Sequence, residues 1–286
     1  MASKPLTKEL ILEIADTDGR IRAVLLNGSR ANHEIKPDDL QDYDIVFLVR
    51  DFDSFNGAYH WPNKFGEILL QQFPDNMFHE DDISQKIPGF SQLTLFEDGT
   101  RIDLSVFPVE KLENDFESDS LTKVWLDRDD LFTTILPPND SDYHIEKPSQ
   151  KEFSDTCNEF WWVSTNVAKA LARNEVIFAK EIMESVVRPM FMKMIAWEIG
   201  WRNNFSVSFG KGGKFISKYL EAKICDEILQ TYAGADVSAN WESLFIMCDL
   251  FQKFSNTVSV AMEFDHTRIE EQNAVLYLKK LYQHRD

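Results

Sequence analysis

Five residues in the first half of the chain have types and spacing that could do chemistry together. Gly28 and Ser29 close the apolar run AVLLN, Asp42 and Asp44 open the run IVFLV twelve residues later, and Asp103 interrupts the apolar pattern of RIDLSVF. Side chains alternate faces along a strand, so Asp42 and Asp44 point the same way with Tyr43 opposite. Two carboxylates side by side repel unless a cation lies between them. Magnesium is the natural candidate, a hard ion held through one or two carboxylates plus substrate phosphates. A neighbouring strand would bring Asp103 to the same place as a third carboxylate. In-line phosphoryl or nucleotidyl transfer asks for that set: metals on the phosphate oxygens, and a base or metal at the attacking hydroxyl. Gly28 lets the backbone approach a phosphate closely, and the following amides and the Ser29 hydroxyl can donate to its oxygens. Gly-Ser and Asp-x-Asp are each common; their order along the chain is far more specific than either.

The elements that must position these residues can be read from periodicity. Residues 6–16 form a short amphipathic helix, followed by strands over 21–27 and 43–49 and a helical stretch near 62–72. SQLTLFEDGTRIDLSVF reads as a hairpin around Glu-Asp-Gly, VEKLENDF as a helix and KVWLD as a short strand. From about Ser149 apolar residues recur at three- and four-residue intervals for some fifty positions, and 214–232, 238–263 and 267–283 repeat the pattern. Between these textures LPPNDSDYHIEKPS is rich in turn formers. The fold class expected is α+β, with an N-terminal domain (1–148) around a small mixed sheet and a C-terminal all-α bundle (149–286).

Composition limits the partners. The chain has 286 residues, 43% of them hydrophobic, with a formal net charge of −18. Residues 1–148 carry −16 of that charge and residues 149–286 only −2. A field of that sign disfavours nucleic-acid polymers and favours a small polycation. No apolar run approaches the roughly 20 residues that span a bilayer, and the N-terminus lacks a secretory h-region, so a cytoplasmic protein with no membrane partner is expected. Cys157, Cys225 and Cys248 read as buried free thiols, and the six histidines show no metal-ligand spacing.

The motifs NGSR, QDYDIVFLV and RIDLSVF resemble the nucleotidyltransferase superfamily typified by DNA polymerase beta. Within it, LFEDG, PND, EFWWVSTNVAKALARNE, RPMFMKMIAW and GKGGKF resemble the aminoglycoside 6-adenylyltransferases that inactivate streptomycin, and the likeness spans nearly the whole chain. The resemblance implies a polymerase-beta-like N-terminal domain, ATP as co-substrate and AMP transfer to an antibiotic hydroxyl with release of pyrophosphate. It implies that Gly28 and Ser29 hold the triphosphate with Arg30 assisting, and that Asp42 and Asp44 bind magnesium. Asp103 would share a metal or take the acceptor proton as general base, two roles the sequence leaves open.

Four further residues are weaker candidates. Lys211 and Lys214 in FGKGGKF could fold over the triphosphate or be solvated lysines of a connecting loop. Glu159 and Asp155 could accept a guanidinium of the acceptor through paired hydrogen bonds. Trp161 and Trp162 beside them fit core packing better than a sugar-binding cleft. Two rival readings stay open: a nucleotidyltransferase of this fold acting on another small alcohol or a protein hydroxyl, and a nucleotide-binding regulatory module without turnover.

Overall fold

The computed structural model describes residues 6–55, 61–77, 89–112, 116, 119–132 and 135–284. The chain divides into two compact units, residues 1–142 and 143–286. Sequence texture places the change at Ser149. The earlier division arises because Ile145 is buried in the helical core and its amide donates to the Val207 carbonyl, so the approach to the first long helix already belongs to the second unit.

In the first unit, helix α1 (Lys8–Asp16) starts at Thr7, whose hydroxyl accepts from the Leu10 amide, and buries Ile11, Ile14 and Ala15. Six strands follow: β1 (Ile21–Asn27), β2 (Tyr43–Val49), β3 (Ile68–Gln72), β4 (Phe90–Phe96), β5 (Arg101–Pro108) and β6 (Lys123–Asp127). They form one sheet in the order β3-β4-β5-β2-β1-β6, with β2 and β5 parallel and all other neighbours antiparallel. β1 and β2 are central and apolar on both faces. Ile45, Phe47 and Val49 join Ile102, Leu104, Val106 and α1 in one core, while Val46 and Leu48 join Ala23, Leu25 and Phe107 in a second core on the opposite face. β4 is half-covered and alternates instead, with Gln92, Thr94 and Phe96 buried.

Two expectations change here. The stretch near 62–72 is not helical: a 3-10 turn over Trp61–Lys64 leads into β3. Pro62 and Gly66 interrupt any longer helix, and Ile68–Gln72 pairs with β4 as an edge strand that leaves Leu69 and Leu70 exposed. Of VEKLENDF, Val109–Lys111 forms a single 3-10 turn, and 113–115 lie outside the described residues.

The second unit is helical: α2 (Gln150–Ala172), α3 (Val176–Ile182), α4 (Arg188–Arg202), α5 (Ile216–Tyr219), α6 (Ala222–Gln230), α7 (Val237–Met262) and α8 (Ile269–Gln283). α2 opens with a reciprocal cap between Ser149 and Glu152. The long periodic run is broken at Asn174, which takes a positive φ, and again by a π turn over Met183–Val187. Pro189 follows that turn and has no N–H to continue the ladder, which accounts for the break in register. Trp241, Phe160, Phe251 and Trp161 form the centre of the core, with the Phe160 and Phe251 rings stacked. Cys157 and Cys248 are buried free thiols, and Cys225 is only half-buried. No helix among the described residues is long and apolar enough to cross a membrane.

Candidate active site

Pairing register brings the distant motifs together. Asn27 lies opposite Asp44 across the β1–β2 ladder, and Asp44 lies opposite Asp103 across the parallel β2–β5 ladder. The turn after β1 therefore sits beside Asp44, with Asp103 on its other side and Asp42 two residues back on the same face. The same face continues into the Val46, Leu48 and Phe107 core, so a packed sheet fixes the backbone beneath the carboxylates. The turn approaches closely. Gly28 has φ +68°, and a Cβ there would stand 2.2 Å from Asp44 Oδ2, so both conformation and space require glycine.

The three carboxylates share one nearby guanidinium. Arg101 Nε and Nη2 donate to Asp103 Oδ1 and Oδ2, each at 2.7 Å, and Nε lies 3.7 Å from Asp42 Oδ2. Burial pushes the Asp44 carboxyl up to about 6, with the charges of Asp103, Asp42 and Asp119 adding to it and Arg101 opposing. Burial also holds Asp42 above the ordinary carboxylate range, against the pull of Arg101. This is a negative cluster with less cationic charge around it than it needs. Among the described residues no three His, Cys, Asp or Glu side chains converge as a ready metal cage, and Asp103 is turned onto Arg101. By donor type and unmet charge the set nevertheless fits a hard divalent cation: carboxylate oxygens on adjacent strands, one of them rising toward neutrality for want of a counter-charge.

Arg30 does not face this cluster. Its guanidinium donates to the carbonyls of Gln41 and Asp42 and lies 3.9 Å from the centre of the Tyr43 ring, on the strand face opposite Asp42 and Asp44. Gln41 Nε2 donates in turn to the Ser29 carbonyl at 3.3 Å. Arg30 thus ties the Gly-Ser turn to the start of β2. Lys211 and Lys214 are exposed in the second unit, on a loop where Gly210, Gly212 and Gly213 all take positive φ, and Lys214 lies over the Phe215 ring. Asp155 and Glu159 are exposed on α2. They line a hollow of about 460 Å³ with Glu152, Asn158 and Lys193, and Asp155 pairs with Lys151. Trp161 is core, as its apolar setting suggests, but Trp162 is exposed.

Sequence reasoning missed Arg101 and Asp119. The signal for Arg101 was present: in R-I-D the arginine stands two residues before Asp103, on the same face of the strand. Asp119 lies in a loop and carries no such pattern.

Comparison with known proteins shows the family. The profile of the family described as streptomycin adenylyltransferase matches residues 1–281. Aminoglycoside 6-adenylyltransferase of Bacillus subtilis (strain 168) is 39% identical over 95% of both chains. The Campylobacter jejuni protein of that name is 38% identical over 99% of this chain and 98% of its own. A crystal structure of an aminoglycoside 6-adenyltransferase from Bacillus subtilis covers 96% of each chain at 34% identity, with a TM-score of 0.47. With a profile match across nearly the whole chain and relatives of this identity, the protein belongs to the streptomycin adenylyltransferase family of nucleotidyltransferases.

Proposed function

We propose that the protein transfers AMP from magnesium ATP to a hydroxyl of streptomycin, releasing pyrophosphate and inactivating the antibiotic. The observation that carries the reading is the register that sets the Gly28 turn, Asp44 and Asp103 side by side, in a chain whose relatives are named aminoglycoside 6-adenylyltransferases.

Asp42, Asp44 and Asp103 are the residues that would hold magnesium. When bound, the metal supplies positive charge to the triphosphate and to the carboxylates. Gly28 and Ser29 offer backbone amides and a hydroxyl to the phosphate oxygens, at a turn that glycine alone lets approach Asp44. In the transfer the acceptor oxygen attacks the α-phosphorus, the bond to pyrophosphate breaks, and the hydroxyl proton must leave. Asp103 would receive that proton or share the metal. Arg30 acts through the backbone, by holding the turn and the start of β2 together. Lys211 and Lys214 remain candidates for the triphosphate, and Asp155 and Glu159 for the cationic acceptor. The −16 of residues 1–148 draws a polycationic antibiotic toward the carboxylates and repels free ATP, which therefore has to arrive with its charge neutralised.

The test is pyrophosphate release from ATP and magnesium across a panel of aminoglycosides including streptomycin, with Asp42→Ala and Asp103→Ala beside the wild type. Release that depends on streptomycin and vanishes in both variants supports reaction class, acceptor and carboxylates together. Release with another aminoglycoside, but not streptomycin, keeps the chemistry and changes the acceptor. Silence with every aminoglycoside from protein that still binds magnesium ATP overturns the antibiotic reading.

A further inference from the structure

Arg101 is the only cation among the described residues that forms an ion pair with any of the three carboxylates. Its contacts are specific in kind. Two parallel hydrogen bonds of 2.7 Å engage both oxygens of Asp103, the fork-to-carboxylate geometry that a lysine cannot reproduce, while the same Nε lies 3.7 Å from Asp42. The side chain is 40% exposed and Asp103 is 22% exposed, so the pair sits at the mouth of the cluster. A structural ion pair would need one carboxylate for one guanidinium. Here one guanidinium stands among three carboxylates.

We propose that Arg101 is a positioning residue: it serves as a built-in counter-ion that gathers Asp42 and Asp103 in the metal-free protein, and it gives up Asp103 when a divalent cation binds. The inference rests on the reading of these carboxylates as a metal site. The oxygens of Asp103 that would meet a metal are the ones Arg101 occupies, so guanidinium and metal compete for them. Binding of the metal must break two charge-assisted hydrogen bonds, and that cost is set against its affinity. The benefit lies in the metal-free state, where Asp103 is kept aimed into the cluster and the like charges are kept from driving it apart. A guanidinium on a long, half-exposed side chain is suited to release, and once released it is a cation beside whatever anionic oxygens the metal brings with it.

The competition predicts an effect opposite in sign to that of ordinary structural damage. Manganese binding, followed by electron paramagnetic resonance of free and bound ion, is compared in wild type, Arg101→Gln, Arg101→Lys and Asp44→Asn, together with thermal unfolding with and without magnesium. Arg101→Gln is expected to bind manganese about tenfold more tightly than wild type, a modest gain because both hydrogen bonds to Asp103 are partly exposed and the released guanidinium is hydrated in exchange. Its metal-free melting temperature should fall, and magnesium should raise that temperature by more than in wild type. Arg101→Lys, which keeps charge without the fork, should fall between the two, and it serves as the test if Arg101→Gln does not fold. Equal or weaker manganese binding in both Arg101 variants, with wild-type binding that Asp44→Asn abolishes, overturns the competition and leaves the metal site standing. Wild-type binding that Asp44→Asn does not change removes the metal site, and this inference with it.

Discussion

In the helical unit Arg188, Glu198 and Glu271 are almost sealed from solvent, and each has a counter-charge one turn away: Glu184, Arg202 and Arg268. At the end of the sheet Arg101 is the one ion-pair partner of Asp42 and Asp103 among the described residues, and Asp44 is raised toward neutrality by burial and by its neighbours. Local i,i+3 and i,i+4 spacing supplies the helical partners almost automatically, so those charges are part of how the unit holds together. The sheet brings its carboxylates together from segments some sixty residues apart and leaves them short of positive charge. A fold has no use for such a surplus, and it is retained at a cost. The difference separates charges that serve the fold from charges that serve chemistry, and the two classes should respond to substitution with opposite signs.

The largest effects are expected at the sheet. Asp44→Asn should lower pyrophosphate release at least about a hundredfold, the usual order for loss of one electrostatic group at a reacting centre. Its metal-free stability, read by urea unfolding, should not fall. Gly28→Ala should lose activity to a similar degree and stability as well, because the added methyl meets Asp44 Oδ2 at 2.2 Å in a backbone conformation that alanine resists. If Asp44→Asn unfolds more readily than wild type, its carboxylate is structural and the contrast between the regions fails.

The helical charges should show the reverse pattern. Arg188 donates to Thr231 Oγ1 and to the Thr231 carbonyl, both at 2.8 Å, pairs with Glu184 and stacks on Tyr232. Arg188→Met should reduce the unfolding free energy by about 2 to 3 kcal/mol, because it strands the Thr231 acceptors at the end of α6 and leaves Glu184 of the π turn without its partner. The Michaelis constants of the protein that remains folded should be unchanged. A shift in the ATP or acceptor constant at full stability would place Arg188 among the functional charges instead.

The two regions also differed in how far they could be read from the chain. β1 and β2 were legible because central strands are apolar runs bounded by polar residues, and the long helices because their apolar stripe repeats over many turns. Ile68–Gln72 was not, since an edge strand that exposes Leu69 and Leu70 shows no alternation and is defined by its pairing with β4. Within the candidate site, the residue types at Gly28, Ser29, Asp42, Asp44 and Asp103 were readable. That Asp42 and Asp44 share a face followed from alternation, and Asp103 was expected on a neighbouring strand; the register that sets Asp103 opposite Asp44 was not readable, because parallel pairing of β2 with β5 is a long-range contact that no local pattern encodes. Arg101 was missed for a narrower reason: a basic residue two places from an acidic one is ordinary in a chain this charged, and only its 2.7 Å fork onto Asp103 sets it apart. Arg30 taught the converse. A basic residue beside a phosphate-binding turn suggests a phosphate ligand, yet its guanidinium is engaged by the carbonyls of Gln41 and Asp42.

The smallest expected effect is also the most direct reading of the surplus charge. Asp44 ionises near 3.8 in an unfolded chain and at about 6 in the native one. Between those values the folded protein holds a proton that the unfolded chain has released, so folding is favoured by proton uptake and Asp44's contribution to stability declines as pH rises. That contribution is whole below about pH 4 and is lost once pH passes about 6, the reverse of a salt-bridged aspartate. Asparagine cannot ionise. The stability of metal-free Asp44→Asn relative to wild type should therefore rise from pH 4 to pH 6 and level off by pH 7, by about 1 to 2 kcal/mol after allowance for the partial exposure of the group. Urea unfolding of both proteins across that range reads the difference directly. Magnesium, if the carboxylates hold it, should flatten the wild-type curve by removing the penalty on the ionised form. A difference that does not change between pH 4 and pH 7 would mean that Asp44 carries its charge in the folded protein without cost, and the surplus at the sheet would then be no more strained than the paired charges of the helices.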